Sequence, residues 1–172
     1  MRCSELGVGA LGEMRAEPRP AGLIRAAFGF VRDPLWWLAS AVGLVVAIGL
    51  RFAFPAAMAI SALHGIEVWF SCVLWQPALE EGVFRGLIQG ELLRRRTIAA
   101  RWCGVSAANL ITSALFVAAH FVHHPPLWAL SVFAPSLLFG GFRERYRGVG
   151  APMGLHILFN LEFFVAASLA LR

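Results

Sequence analysis

Runs of about twenty apolar residues with almost no charge constrain this chain more than any other feature. Leu35 to Phe54 is apolar apart from Arg51. Twenty residues at about 1.5 Å each make a helix of about 30 Å, the thickness of a bilayer core. The chain is 59% hydrophobic and 15% charged over 172 residues, too little polar surface for a soluble domain of this length. The expected fold is all-α: a polytopic transmembrane helix bundle forming one domain.

Asp33 and Pro34 read as the start of the first span, a capping acid followed by a proline in the first turn. Trp36 and Trp37 suit the interfacial belt. Residues 22–32 mix apolar positions with Arg25 and Arg32 and are expected to form a short helix lying on the membrane surface. Pro55 ends the first span, and residues 56–65 form a short second piece or a turn. A long helix is expected from about Glu67 to Arg94, kinked at Pro77. Further spans follow over about 104–122, 127–142 and 154–171. That makes about five crossings, or six if 56–65 also crosses.

All fifteen basic residues are arginines, and the formal net charge is +5. With five crossings and a cytoplasmic N-terminus, the groups Arg15/Arg19/Arg25/Arg32, Arg94/Arg95/Arg96/Arg101 and Arg143/Arg145/Arg147 share one side; with six they do not. The positive-inside rule therefore favours five; a bacterial inner membrane is the expected location. Arg51 falls on the wrong side and is expected to snorkel outward. Arginines at span ends are anchors, and no basic-aromatic stripe accompanies them, so nucleic acid is not an expected partner. Residues 1–21 lack the apolar core of a signal peptide and are expected to be a disordered cytoplasmic tail, with Met14 an alternative start. Residues 22–172 then form the membrane domain. Cys3, Cys72 and Cys103 show neither a CxxC nor a disulfide pattern. Membrane lipids are the expected surroundings, and the sequence does not fix an oligomeric state.

Three patterns place ionisable groups inside apolar segments: Glu80-Glu81-Gly82-Val83-Phe84-Arg85, Phe116-Val117-Ala118-Ala119-His120 and His156-Ile157-Leu158-Phe159-Asn160. Each such group costs about 2.5–3.5 kcal/mol on insertion scales, so they must face one another or enclosed water. Glu81 and Arg85, four apart, can neutralise each other on one helix face. Glu80 lies about 100° around the helix and cannot share Arg85 equally, which leaves it as the carboxylate with a function to explain. His156 and Asn160 share a face, and His120 lies near the end of its own helix.

Depth gives a second constraint. Glu80 lies about 21 Å, and His120 about 24 Å, from the arginine-bearing edge, whereas His156 would lie about 10 Å deep on a helix begun at Val149. Extended entry of Gly148–Gly154 as a re-entrant loop before the last helix would remove the mismatch and put the site in the outer half of the bilayer.

The patterns EExxxR, FxxxH and HxxxN, in this order, resemble those of the CPBP family of intramembrane proteases (CAAX proteases and bacteriocin-processing enzymes, also called Abi), over a core of about residues 68–163. The resemblance implies a glutamic-type intramembrane endopeptidase acting on a membrane-associated protein substrate. By position, Glu80 matches the general base and His120 its partner on the attacking water. His156 and Asn160 match the oxyanion stabilisers, and Glu81 and Arg85 the supporting residues. No cofactor is implied. The chain is short for the family, and Asp33-Pro34-Leu35-Trp36-Trp37 also resembles small members that cut C-terminal sorting segments, such as the JDVT-CTERM type. Two alternatives stay open: a zinc protease with Glu80, His120 and His156 as ligands, and a non-catalytic immunity or scaffold protein of the same fold.

Overall fold

The computed structural model describes residues 28–55, 65–102 and 104–169. The expected tail, most of the surface helix and nearly all of 56–65 lie outside the described residues. The described chain is mostly helical. A tight turn at Gly29–Arg32 leads into α1 (Pro34–Ala53), and α2 covers 66–92 without a break. A short α3 (Arg96–Ala99) and a two-residue ladder, β1 (Arg101–Trp102) with β2 (Val105–Ser106), lead into α4 (Ala107–His120). Then come α5 (Pro126–Ser131), α6 (Phe133–Tyr146) and α7 (Gly150–Ser168). The antiparallel ladder pairs Arg101 with Ser106 and Trp102 with Val105. It is absent from an all-α expectation, being too short to carry a period-2 pattern, and Gly104 turns it at φ 84°.

Two helices, Pro34–Ala53 and Gly150–Ser168, have the length and apolarity to cross a membrane; Ala107–His120 is apolar but shorter. On α1, Leu38, Val42, Val45 and Phe52 are all more than half exposed, the surface of a helix solvated by lipid. Its inner face holds Trp36, Ala39, Ser40 and Ala47. The small residues there let α7 approach closely, as in membrane helix pairs generally.

Helix directions follow from the contacts. Trp36 Nε1 donates to the Ala151 carbonyl at 3.0 Å, and Ala47 packs with Ala166 and Ala167 farther along, so α1 and α7 run parallel. Glu81 meets His156 and Cys72 meets Asn160, so α2 is antiparallel to both. The Asn109 amide donates to the Leu137 carbonyl and Ser106 to Glu144, making α4 and α6 antiparallel. Gly140 is where α4 and α6 touch: a Cβ there would overlap the Asn109 side-chain amide.

Two expectations need correction. No extended segment enters before the last helix: α7 begins at Gly150, with Pro152 in its first turn, where a missing N–H costs nothing. The depth mismatch has another origin. Val149 lies against Gly86 of α2, so the α6–α7 turn abuts the C-terminal third of α2 and the last turns of α2 project past it. His156 is then about 9 Å from that turn, nearer the arginine-bearing end than expected. The span expected at 127–142 is two helices meeting at Val132, because Pro135 has no N–H to bond the Ser131 carbonyl that ends α5, and α6 restarts with Pro135 in its first turn. Arg51 is half-buried, and its Nε is enclosed with no hydrogen-bond partner among the described residues.

The arginine-bearing end is tied by two acids. Asp33 caps α1 by accepting from the Leu35 N–H at 2.9 Å. Its other oxygen accepts from Arg145 Nε at 2.8 Å and from the Tyr146 hydroxyl. Glu144 accepts from Gln89, Ser106 and Arg101, joining α2, β1, α4 and α6. The Tyr146 hydroxyl foremost, then the Leu35 N–H and the Arg145 charge, hold the Asp33 carboxyl below the usual carboxylate range, with burial opposing them. A depressed folded-state pKa stabilises the fold above the unfolded value of about 3.9 and ceases to as pH falls through the folded value. Asp33→Asn retains a capping oxygen but loses the charge. Its melting temperature in detergent should fall below wild type by a constant margin above about pH 5, and the margin should close below about pH 3.9.

Candidate active site

The site begins with a polar stripe on α2. Glu81, Arg85 and Gln89 succeed one another at intervals of four and are all fully buried, while Val83 and Leu87 point outward. Burial of such groups requires partners, and each residue has them, with Arg85 Nη1 and Gln89 Oε1 alone left without one among the described residues. Arg85 Nε lies 3.3 Å from Glu81 Oε2. Arg85 Nη2 donates to Ser136 Oγ of α6 at 2.6 Å, and the guanidinium stands 5.5 Å over the Phe116 ring of α4. Gln89 Nε2 donates to the Gly140 carbonyl and to Glu144, both at 3.1 Å. The stripe thus fastens α2 to α4 and α6.

The second oxygen of Glu81 faces α7: Oε1 lies 3.0 Å from His156 Nδ1. A carboxylate only accepts, so Nδ1 carries the proton. His156 Nε2 is thereby aimed at Glu80, 3.8 Å from its Oε2. The imidazole stacks on Phe139, with centroids 4.8 Å apart, which fixes the ring plane. The Glu80 side chain is 31% exposed and that of Glu81 is fully enclosed. The two adjacent acids therefore have different surroundings, one built into the bundle and one open to a cleft.

His120, at the end of α4, donates from Nδ1 to the Phe116 carbonyl at 2.8 Å, leaving Nε2 as the acceptor in the neutral ring. It rests on the Phe116 ring at 4.5 Å, and the same ring lies 6.1 Å from His156. Glu80, Glu81, Arg85 and His156 are thus brought into direct register, with His120 beside them across Phe116.

Asn160 is placed differently. Its Nδ2 donates to the Cys72 carbonyl at 2.7 Å. This acceptor exists because α2 is not a regular α-helix. At Ser71–Trp75 it widens to i→i+5 spacing, and the Gln76 N–H reaches the Ser71 carbonyl. At that spacing the Cys72 carbonyl would take its hydrogen from residue 77, and residue 77 is proline. Asn160 supplies the missing donor. A second widened segment, Gly82–Ile88, carries Arg85; such segments recur at functional sites.

Gln89, Ser136 and Phe116 belong to this assembly, and only Phe116 was marked by the sequence patterns. Gln89 had a usable signal, its place four residues after Arg85. Ser136 had none, because nothing in the sequence pairs α6 with α2. Among the described residues, no three His, Cys, Asp or Glu side chains are grouped so as to hold a metal ion.

A sequence model of the family described as type II CAAX prenyl endopeptidase, Rce1-like, matches residues 34–161. That stretch covers all three patterns. No curated protein and no solved structure matched the chain.

Removing one partner of a buried ion pair costs about 3–5 kcal/mol. Arg85→Met should therefore destabilise the chain by about that amount, and Arg85→Met combined with Glu81→Leu should restore much of it; denaturant unfolding in detergent measures both. Asn160→Leu should cost about 1–3 kcal/mol for an unsatisfied carbonyl. In a Pro77→Ala background, where residue 77 regains its N–H, the cost should shrink to less than half.

Proposed function

Because the chain belongs to the Rce1-like family of type II CAAX prenyl endopeptidases, a family of membrane proteases, we propose that Glu80, His120, His156 and Asn160 hydrolyse a peptide bond by activating a water within the bundle. The observation that carries this reading is the pairing of a partly open Glu80 carboxylate with a His156 Nε2 only 3.8 Å away, itself oriented by the enclosed Glu81. At that separation, one water can touch both groups and still present a lone pair to a substrate carbonyl.

Glu80 takes a proton from the water as its oxygen bonds to the carbonyl carbon. The Nε2 acceptor of His120 helps to orient the water. The carbonyl oxygen becomes an oxyanion, which needs donors placed in advance. His156 Nε2 faces the oxyanion as a donor while Glu81 accepts from Nδ1. Asn160 has two amide hydrogens; with one on the Cys72 carbonyl, the other is available. Collapse of the intermediate breaks the C–N bond, and the proton held by Glu80 passes to the leaving amine. Glu81 and Arg85 act through the others, as positioning residues.

The antiparallel course of α1 and α2 supports five crossings with the arginine-bearing end in the cytoplasm, since a crossing at 56–65 would make these helices parallel. The substrate in this reading is a membrane-associated polypeptide. These side chains recognise a peptide bond, so C-terminal sorting segments and prenylated C-termini are both substrates to assay.

In reconstituted full-length protein, Glu80→Gln and His120→Ala should each lower cleavage by at least about 100-fold while leaving the melting temperature within a few degrees of wild type. Normal cleavage by Glu80→Gln would overturn the mechanism. Cleavage should persist in a zinc chelator; loss that is restored by added zinc would favour the metal alternative.

A further inference from the structure

A groove of about 660 Å³ opens at the arginine-bearing end, away from the tetrad, with Arg94, Arg101, Arg143, Arg145 and Arg147 among its walls and Gly90 and Gly141 between them. Its acids are already engaged. Glu144, the one acid in the wall among the described residues, is held by Arg101 at 2.9 Å. Arg145 is held by Asp33. Arg94 has only an exposed contact with Glu91 at 3.5 Å, a weak interaction in water. Arg143 uses Nε on the Arg85 carbonyl, and neither it nor Arg147 has an acidic partner among the described residues. The groove therefore carries uncompensated positive charge, of which Arg143 is fixed to the bundle by its hydrogen bond.

Its surroundings narrow the choice of anion. A second lobe shares Gly90, Arg94 and Arg143 and extends to Gly86, Leu87 and Glu91, the last being the acid that faces Arg94. Leu87 is 70% exposed, and Val83, one turn farther into the bundle, is 45% exposed. An arginine-lined groove thus runs directly onto an apolar strip of helix α2. A soluble anion would use the first part and leave the second bare. A phospholipid uses both, with its phosphate among the arginines and its acyl chain along Leu87 and Val83.

We propose that this groove binds the phosphate headgroup of an anionic phospholipid. The proposal does not depend on the protease reading, and its test reads lipid binding alone. Full-length protein in phosphatidylcholine nanodiscs would be titrated with a fluorescent phosphatidylglycerol, with fluorescent phosphatidylcholine as the control. The variant Arg94→Gln/Arg147→Asn avoids the hydrogen-bonded arginines, and Asn tolerates the left-handed backbone of residue 147 (φ 52°). Wild type should bind phosphatidylglycerol at least tenfold more tightly than phosphatidylcholine. The variant should lose most of that preference at an unchanged melting temperature, and Arg94→Lys/Arg147→Asn should regain part of it. Equal binding of the two lipids by wild type, or an undiminished preference in the Gln/Asn variant, would overturn the proposal. Displacement of the lipid by millimolar inorganic phosphate would overturn it too, by showing a site for a soluble anion.

Discussion

The Glu81 carboxylate, with no exposed surface, is held from two helices at once: by Arg85 on its own helix and by His156 on α7. In a lipid-solvated bundle neither charge of the pair could remain unpartnered. The contact therefore fixes the rotation of α2 against α7, and with it the direction of the next side chain, Glu80. Ser136 and Phe116 hold the far side of Arg85, so α4 and α6 enter the same arrangement. The Glu80 carboxylate can be partly open here because its neighbour is not.

The backbone of α2 contributes as much as its side chains. Widened turns on both sides of Glu80 and Glu81 break the regular hydrogen-bond ladder, and Pro77 leaves a carbonyl without its donor. Within a membrane such a carbonyl must be satisfied by protein, and Asn160 does so. One residue thus closes the backbone defect and keeps a second amide hydrogen one turn from His156. The cost of an irregular helix and the presence of an amide at the site have a common origin.

Much of this was legible in the sequence because lipid makes ionisable groups conspicuous. The three patterns stood out against apolar helices, Asp33-Pro34 marked the start of α1, and the Glu81–Arg85 pair followed from their spacing. The link from Glu81 to His156 was not legible, since it joins helices 75 residues apart. Nor was the depth of the site. Arg94 and Val149 do not lie at one level, because the α6–α7 turn abuts Gly86. The widened turns of α2 leave no mark on apolar periodicity, and the role of Asn160 at Cys72 was hidden with them. The break at Val132 could have been read from Pro135, which cannot continue a helix already several turns long.

The most direct test of this account is ¹⁵N NMR of histidine-labelled full-length protein in nanodiscs, compared with its Glu81→Gln variant. The account predicts a protonated, hydrogen-bonded Nδ1 on His156 whose resonance moves on substitution, while the Nδ1 of His120, bonded to a backbone carbonyl, stays in place. A His156 spectrum indifferent to Glu81→Gln would contradict it.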